Sequence, residues 1–562
     1  MKIQNLTLST MRRARARVAS ESGFTMLIAI GTLAVTSLLV AAVYIAVQGD
    51  IHNTRHDLDA KRAYYAASGG VNDYLYQLNE NPDYWKTCSP NDTQTITGIP
   101  GASATGVQYS FQYVLANGAT SCNANDPIAS LIDQSTGTLQ MKFIGYSGAP
   151  NPTNTACAYT ACRGIIASFK KDSPIDFLWY TVYESFDPSI LGYTDCAVFY
   201  RNAKPSHCNI NWVTGDVING PMYTQDQYLV SGAPVFGRAQ TDPRSTPGGD
   251  PIESMAPGTN PNVICASNNC GSASIKGKAT PGARTISPPS DNSMLLTDAQ
   301  KHGTVVSGTT TVTLNGTDTA SLMTCPDSTP ADCKSQQIGI TASPIIYVQN
   351  ACTPAPYSPY DVSYPTTNGN YSGCAGNVYV KGSYVSSLTI AAANDIIIDG
   401  DLTTTHDSSG LPNGTAVLGL VANRFVRVMH GVTQRKYNTI QSCEFDDGSG
   451  KPNTAGPVTN IASETFNTLN VDAAILALKD SWIVDNFDCG AKLSNLTVNG
   501  AIAQYYRGPV GTTNTTGYLK NYAYDNRLHV TLPPYLFDIA NSGWHVVRET
   551  LCVPGGSGQS AC

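Results

Sequence analysis

Residues 377–400 read NVYVKGSYVSSLTIAAANDIIIDG, and this stretch decides how most of the chain folds. Three short apolar runs, Val378–Val380, Leu388–Ile390 and Ile396–Ile398, are separated by Gly, Ser, Asn and Asp. Each run is too short for a helix and rich in β-branched residues, so each reads as a strand ending at a turn. The same texture recurs at Asp216–Gly220, Tyr228–Gly232, Val417–Val421, Phe425–Val428 and Leu496–Gly500. One such strand cannot bury its apolar face alone, whereas a stack of them can. The pattern predicts a right-handed parallel β-helix with insertions; a β-sandwich with long loops is the competing arrangement.

Composition agrees with a mainly β chain. The protein has 562 residues, room for two or three domains, and only 13% of them are charged, about half the share in ordinary soluble domains. Gly (49) and Tyr (30) are abundant, which suits strands and turns rather than a helical enzyme. The net charge is −7, and the only strongly basic segment is the first 23 residues, so no nucleic-acid partner is expected. The sixteen cysteines contain no C-x-x-C, which disfavours zinc ribbons and redox motifs. They suit disulfides in an oxidising compartment, with local closures at Cys157 and Cys162, Cys196 and Cys208, Cys265 and Cys270, Cys325 and Cys333, Cys352 and Cys374, and Cys552 and Cys562. Cys443 and Cys489 are further candidates; spacing alone does not fix the connectivity.

Upstream, Phe24–Val47 (FTMLIAIGTLAVTSLLVAAVYIAV) carries no charge. As a helix it would be about 36 Å long, enough to span a hydrocarbon core of about 30 Å. Lys2, Arg12, Arg13, Arg15 and Arg17 precede it, so the positive-inside rule keeps the N-terminus cytoplasmic and exports the rest. From Asp50 to Leu78 there is no proline, and Ala63, Ala66, Ala67, Val71, Leu75 and Leu78 keep a helical period up to Pro82. The expectation is one long helix, apolar first and amphipathic after.

A basic leader ending in Ser22-Gly23, followed by Phe24-Thr25-Met26-Leu27 and an apolar run, resembles the class III signal of type IV pilins. Ala63-Tyr64-Tyr65-Ala66-Ala67-Ser68-Gly69-Gly70-Val71 resembles the corresponding region of PilX-type minor pilins. The stretches at Ile218–Pro221, Ile390–Ile396 and the aromatic end (Gly517–Leu528, Pro533–Phe537, Trp544–Arg548) are similar to large actinobacterial PilX-type envelope proteins. The resemblance implies cleavage after Gly23, methylation of Phe24, and partners among other pilins, the assembly machinery and membrane lipid. It departs from the family at Ile28, the fifth mature position, where pilins carry Glu. The family pairs that Glu with a neighbour's amine, so its loss fits a tip or initiating subunit better than a repeated one.

The expected layout is a leader (1–23), the helix (24–80), a small β domain (81–175) and the start of the β-helix (176–275). An insertion with a short helix (276–345) follows, then β-helix (346–430), a disulfide-containing insertion (431–490) and a closing segment (491–562). Within the insertions, Ser293–His302 reads as a helix capped by Asp291 or Ser293, and Val471–Ala477 as another.

No catalytic motif is present, and no enzyme activity, catalytic residue or cofactor is expected. His52 and His56 share a helix face without a third ligand. The acidic group Asp395, Asp399 and Asp401 is the strongest chemical candidate. Paired carboxylates on adjacent turns could cleave polysaccharide, but Asp at a turn is also ordinary, and calcium is the one cofactor such a turn would suit. The many tyrosines would also serve a surface glycan or host ligand through stacking.

Overall fold

The computed structural model describes residues 24–562, apart from 89–91, 97–106, 117–118, 152, 154–158, 191–192, 203, 258–262, 266–272, 328–329, 353–373, 433–458, 513–514, 537–542 and 556–561. Gly23, the leader, Cys157, Cys270 and Cys443 therefore lie outside the described residues, as do the side chains of Phe24, His52 and Cys265. His56 is exposed.

A single helix runs from Phe24 to Glu80. Its segment Met26–Gln48 has mean hydropathy 2.4, is long enough to cross a membrane, and is left unburied by the described residues. The second half lies on an antiparallel sheet ordered Asp92–Ile96, Val107–Tyr113, Thr138–Pro150, Tyr159–Lys171 and Trp544–Cys552. Alternation along these strands turns Phe111, Phe143 and Phe169 toward the helix, where the ring of Tyr74 sits 5.3–5.9 Å from each.

The closeness of that packing follows from small residues. Ala63, Ala66 and Ala67 are fully buried. A Cβ on Gly145 of the facing strand would lie 2.0 Å from the Ala63 carbonyl and 2.5 Å from the Ala67 amide nitrogen. One on Gly70 would lie 2.5 Å from the Tyr109 ring. The Ala/Gly run that resembles a PilX-type motif is thus the strip on which the sheet rests.

Thr319–Cys325 and Lys334–Gly339 fold out as an antiparallel hairpin on Thr309–Asn315, and His430–Val432 pairs antiparallel with Asn460–Thr465. Most of the remaining strands form parallel ladders. In the first, Trp179–Tyr183, Met222–Thr224, Pro251–Ser254 and Lys278–Pro281 pair one after another. A second series, Thr304–Ser307, Ile345–Gln349, Leu388–Ala392, Leu418–Ala422, Leu469–Ala477 and Lys492–Tyr506, pairs likewise. Lys492–Tyr506 then pairs in parallel with Trp179–Tyr183, Ile502 opposite Trp179. A second ladder holds Thr309–Asn315, Val378–Ser383, Ile396–Thr403, Val426–Val428 and Trp482–Val484, and its counterpart in the first series is Trp212–Val213, Tyr228–Ser231 and Val263–Cys265. In a third, Leu469–Ala477, Lys492–Tyr506, Thr516–Tyr524, Val217–Asn219, Val235–Phe236 and Ser274–Ile275 are neighbours. The chain visits the three ladders in rotation, and the apolar positions of all three point inward. Gly382 marks one corner: its φ is +110°, and a Cβ there would meet the Leu314 carbonyl at 2.1 Å.

The stack is therefore out of sequence order. The chain enters at residue 179 beside what will be its last turn, winds to one end, and then crosses back along the outside to start again at residue 304. The crossing strap is residues 282–292. Tyr223 donates to the Arg284 carbonyl (2.9 Å) and Tyr180 to the Ile286 carbonyl (2.6 Å). Further along, the Asn292 side chain donates to the carbonyls of Ala392 (2.9 Å) and Val421 (3.1 Å) and accepts from Tyr347 (2.9 Å).

Several expectations are corrected. Residues 276–345 are not an insertion: they hold the last strand of one series, the strap, the expected helix Ser293–His302 and the first strands of the next series. Asn292 occupies the N-cap position of that helix without a side-chain cap bond, and the Asp291 carboxylate accepts from the Ser293 amide at 2.9 Å. Val471–Ala477 is not a helix but part of the strand Leu469–Ala477, hydrogen-bonded on both sides. Its Ala and Leu favour a helix locally, but two flanking strands and burial of nearly every side chain override that. The closing segment 491–562 does not stay with the ladders, because Trp544–Cys552 returns to the antiparallel sheet beside Tyr159–Lys171.

Candidate functional site

The acidic residues singled out from the sequence are held apart. Asp395 is fully buried, accepting from Arg427 Nη1 (2.8 Å) and the Phe425 amide (3.1 Å). Arg427, also buried, holds Asp485 through Nε (3.0 Å) and Nη2 (3.1 Å). Burial pushes the Asp485 carboxyl up to about 6 against the pull of Arg427. This trio clamps successive turns from within. Asp399 and Asp401 face outward instead. Asp399 pairs with Lys381 (2.9 Å), and Asp401 accepts from the Asn470 amide (2.8 Å). The three carboxylates thus present no common ligand set: Asp401 and Asp399 Oδ2 are each held by a neighbouring turn, and Asp399 Oδ1 is buried without a partner among the described residues.

Disulfides join Cys88–Cys122, Cys196–Cys208, Cys325–Cys333, Cys352–Cys374 and Cys552–Cys562. The first was not expected, since 34 residues separate its cysteines. Cys162 and Cys489 are also disulfide-bonded. Asp195, Cys196, His207 and Cys208 bring metal-type ligand atoms within 4.8 Å of one another. Their two sulfurs are already bonded to each other, leaving an exposed ion pair, His207 Nε2 to Asp195 at 2.7 Å.

The seam where residue 502 meets residue 179 gathers the chemistry that the sequence hid. Glu184 is fully buried and accepts from Trp179 Nε1 (2.9 Å), Thr181 Oγ1 (2.7 Å), Trp212 Nε1 (3.1 Å) and Arg507 Nη1 (3.1 Å). The Arg507 guanidinium lies 3.8 Å from the Trp212 ring centroid. Beside it stand two more buried carboxylates. Asp187 accepts from the Ser189 amide (2.8 Å) and Ser481 Oγ (2.9 Å); Asp480 accepts from Ser189 Oγ (3.0 Å) and Arg424 Nε (2.9 Å). Burial, and next the Asp480 charge, hold the Asp187 carboxyl well above the usual range. Burial raises Asp480 too, opposed by Arg424.

On the outer side of this seam, Phe199, Tyr183 and Tyr506 stack in a row with centroids 4.3 and 5.1 Å apart, and Tyr505 meets Tyr506 edge-on at 5.1 Å. All four rings are half-buried. Tyr505 also walls a cleft of about 560 Å3 roofed by the strap residues Ser287, Pro288, Pro289 and Ser290 and floored by Val182, Gln225, Leu478 and Lys479. No local motif announces this site, because its residues come from segments near 183, 225, 288 and 479 that only the out-of-order stacking joins.

No family model and no curated protein matches the chain. Among solved structures it is similar to the competence-associated pilin ComZ from Thermus thermophilus, at 12% identity and a TM-score of 0.26, covering 88% of this chain and 97% of that one. At that score the likeness carries no argument.

Proposed function

We propose that the chain is a membrane-anchored structural subunit of a bacterial type IV pilus-like fibre, a minor pilin or pseudopilin without enzymatic activity. Its head is read as a right-handed parallel β-helix, supported by three parallel ladders visited in rotation and by the usual hand of parallel crossovers. The observation that carries the reading is the helix Phe24–Glu80: one half free and apolar, the other laid on an antiparallel sheet. The free half would sit in lipid before assembly and among the helices of other pilins afterwards, buried by apolar packing in both places. Ile28, unable to pair with a neighbour's amine, and the bulk of the head both favour a tip or initiating position.

A binding role for the head is favoured over polysaccharide cleavage because Asp399 and Asp401 are each matched by a partner from an adjacent turn. Mass spectrometry of the mature N-terminus in cells tests the pilin reading. A cut after Gly23 with a methylated Phe24 is expected. An intact leader, or deletion of residues 24–47 leaving surface display and fibre assembly unchanged, overturns it.

A further inference from the structure

The geometry points to the cleft beneath the strap as a binding site for a neutral oligosaccharide. Its wall is the ring of Tyr505, which lies against the rings of Tyr506 (5.1 Å) and Tyr183 (5.8 Å) while its amide donates to the Asp480 carbonyl at 3.0 Å. A half-exposed aromatic ring is the surface on which the C–H face of a sugar gains most, since it desolvates apolar area without demanding a charge. The rest of the lining supplies uncharged hydrogen-bonding groups, the hydroxyls of Ser287 and Ser290 and the amide of Gln225. The Gln225 side chain is fixed by donation to the Ile286 carbonyl (2.7 Å) and to Tyr180 (3.2 Å), so it is pre-organised rather than free to follow a ligand.

The cleft is not isolated. Tyr505 continues into Tyr506, Tyr183 and Phe199, a half-buried aromatic row leading away from the pocket along the seam. A chain of linked sugars fits such a layout better than a single small metabolite, one unit under the strap and the next along the row. The carboxylates beneath, Asp187 and Asp480, are buried and hydrogen-bonded, so they hold the floor rather than meet the ligand. Lys479 is the one charged side chain in the lining. A single exposed cation in the lining does not amount to an anion site, and neutral sugars are the class the remaining groups suit.

The proposal deepens the surface-binding role above and takes its ligand class from the head's export. The two fail separately, since N-terminal processing and sugar binding are read by different measurements. The test is titration of the full chain in detergent with short neutral oligosaccharides of hexose and N-acetylhexosamine, by calorimetry and tyrosine fluorescence. Saturable binding is expected, weakened about tenfold by Tyr505→Ala and abolished by Ser290→Trp, which fills the cleft from the exposed strap without touching the core. Tyr76→Ala, on the helix far from the seam, should change nothing. Thermal melts of each variant separate lost binding from lost folding. Absence of binding across the panel, binding indifferent to both cleft variants, or binding confined to anionic glycans and lost in Lys479→Ala would each overturn it.

Discussion

Gly145 faces the backbone of the N-terminal helix so closely that any side chain must push the helix away. Gly145→Val should cost about 3 kcal/mol and lower the melting temperature of the helix–sheet unit, measured by denaturation of the detergent-solubilised chain. The same reasoning makes Ala63, Ala66 and Ala67 legible in the sequence as small residues at helical spacing; what they face was not legible, because Gly145 lies far along the chain. Asp187 gives a second prediction at this scale. Burial and Asp480 raise its pKa in the folded chain, so between its ordinary value and the raised one the folded state holds a proton that the unfolded chain has released. That contribution is complete below the unfolded pKa and is lost as pH rises through the folded one. Asp187→Asn, which keeps the shape without the charge, should therefore flatten the fall in melting temperature as pH rises above the ordinary carboxylate range. An unchanged slope would mean the pair is ionised throughout.

At the scale of elements, the strap is held by a few hydrogen bonds rather than by a broad apolar face. Asn292→Ala removes a donor from the Ala392 and Val421 carbonyls and the acceptor of the Tyr347 hydroxyl, and should cost about 2 kcal/mol. Hydrogen exchange should then show faster opening of residues 282–302 before the ladders respond. The strand-and-turn texture from residue 377 onward is plain in the sequence because alternation and Gly corners are local signals. The strap was mistaken for part of an insertion for the opposite reason: its Pro, Gly and Ser describe a loop correctly but say nothing of what the loop crosses. Val471–Ala477 reads as a helix because Ala and Leu favour one locally, and only the flanking strands and burial, which lie outside the local pattern, make it a strand.

At the scale of the whole molecule, the foot of the helix and the last strand meet at one place. The Asn79 side chain at the foot of the helix donates to the Trp544 carbonyl (3.1 Å) and accepts from the Trp544 amide (2.8 Å), across 465 residues. Ending the chain at residue 543 removes this clasp and strips one edge from the antiparallel sheet. Amide protection along Tyr159–Lys171 should then fall, while the ladders, which do not depend on that strand, keep theirs. The candidate site belongs to this scale as well. Its residues were each visible as Tyr, Gln, Ser and Pro, but their convergence follows from topology, which no local pattern encodes.

The clasp at Asn79 also sets how the body would carry mechanical load. Both covalent connections from the sheet to the ladders, one after Lys171 and one before Trp544, leave from neighbouring strands. A pull on the N-terminal helix is thus shared between two tethers rather than run through one. One path runs directly through the chain after Lys171, and the other runs through shear of the hydrogen bonds between Tyr159–Lys171 and Trp544–Cys552.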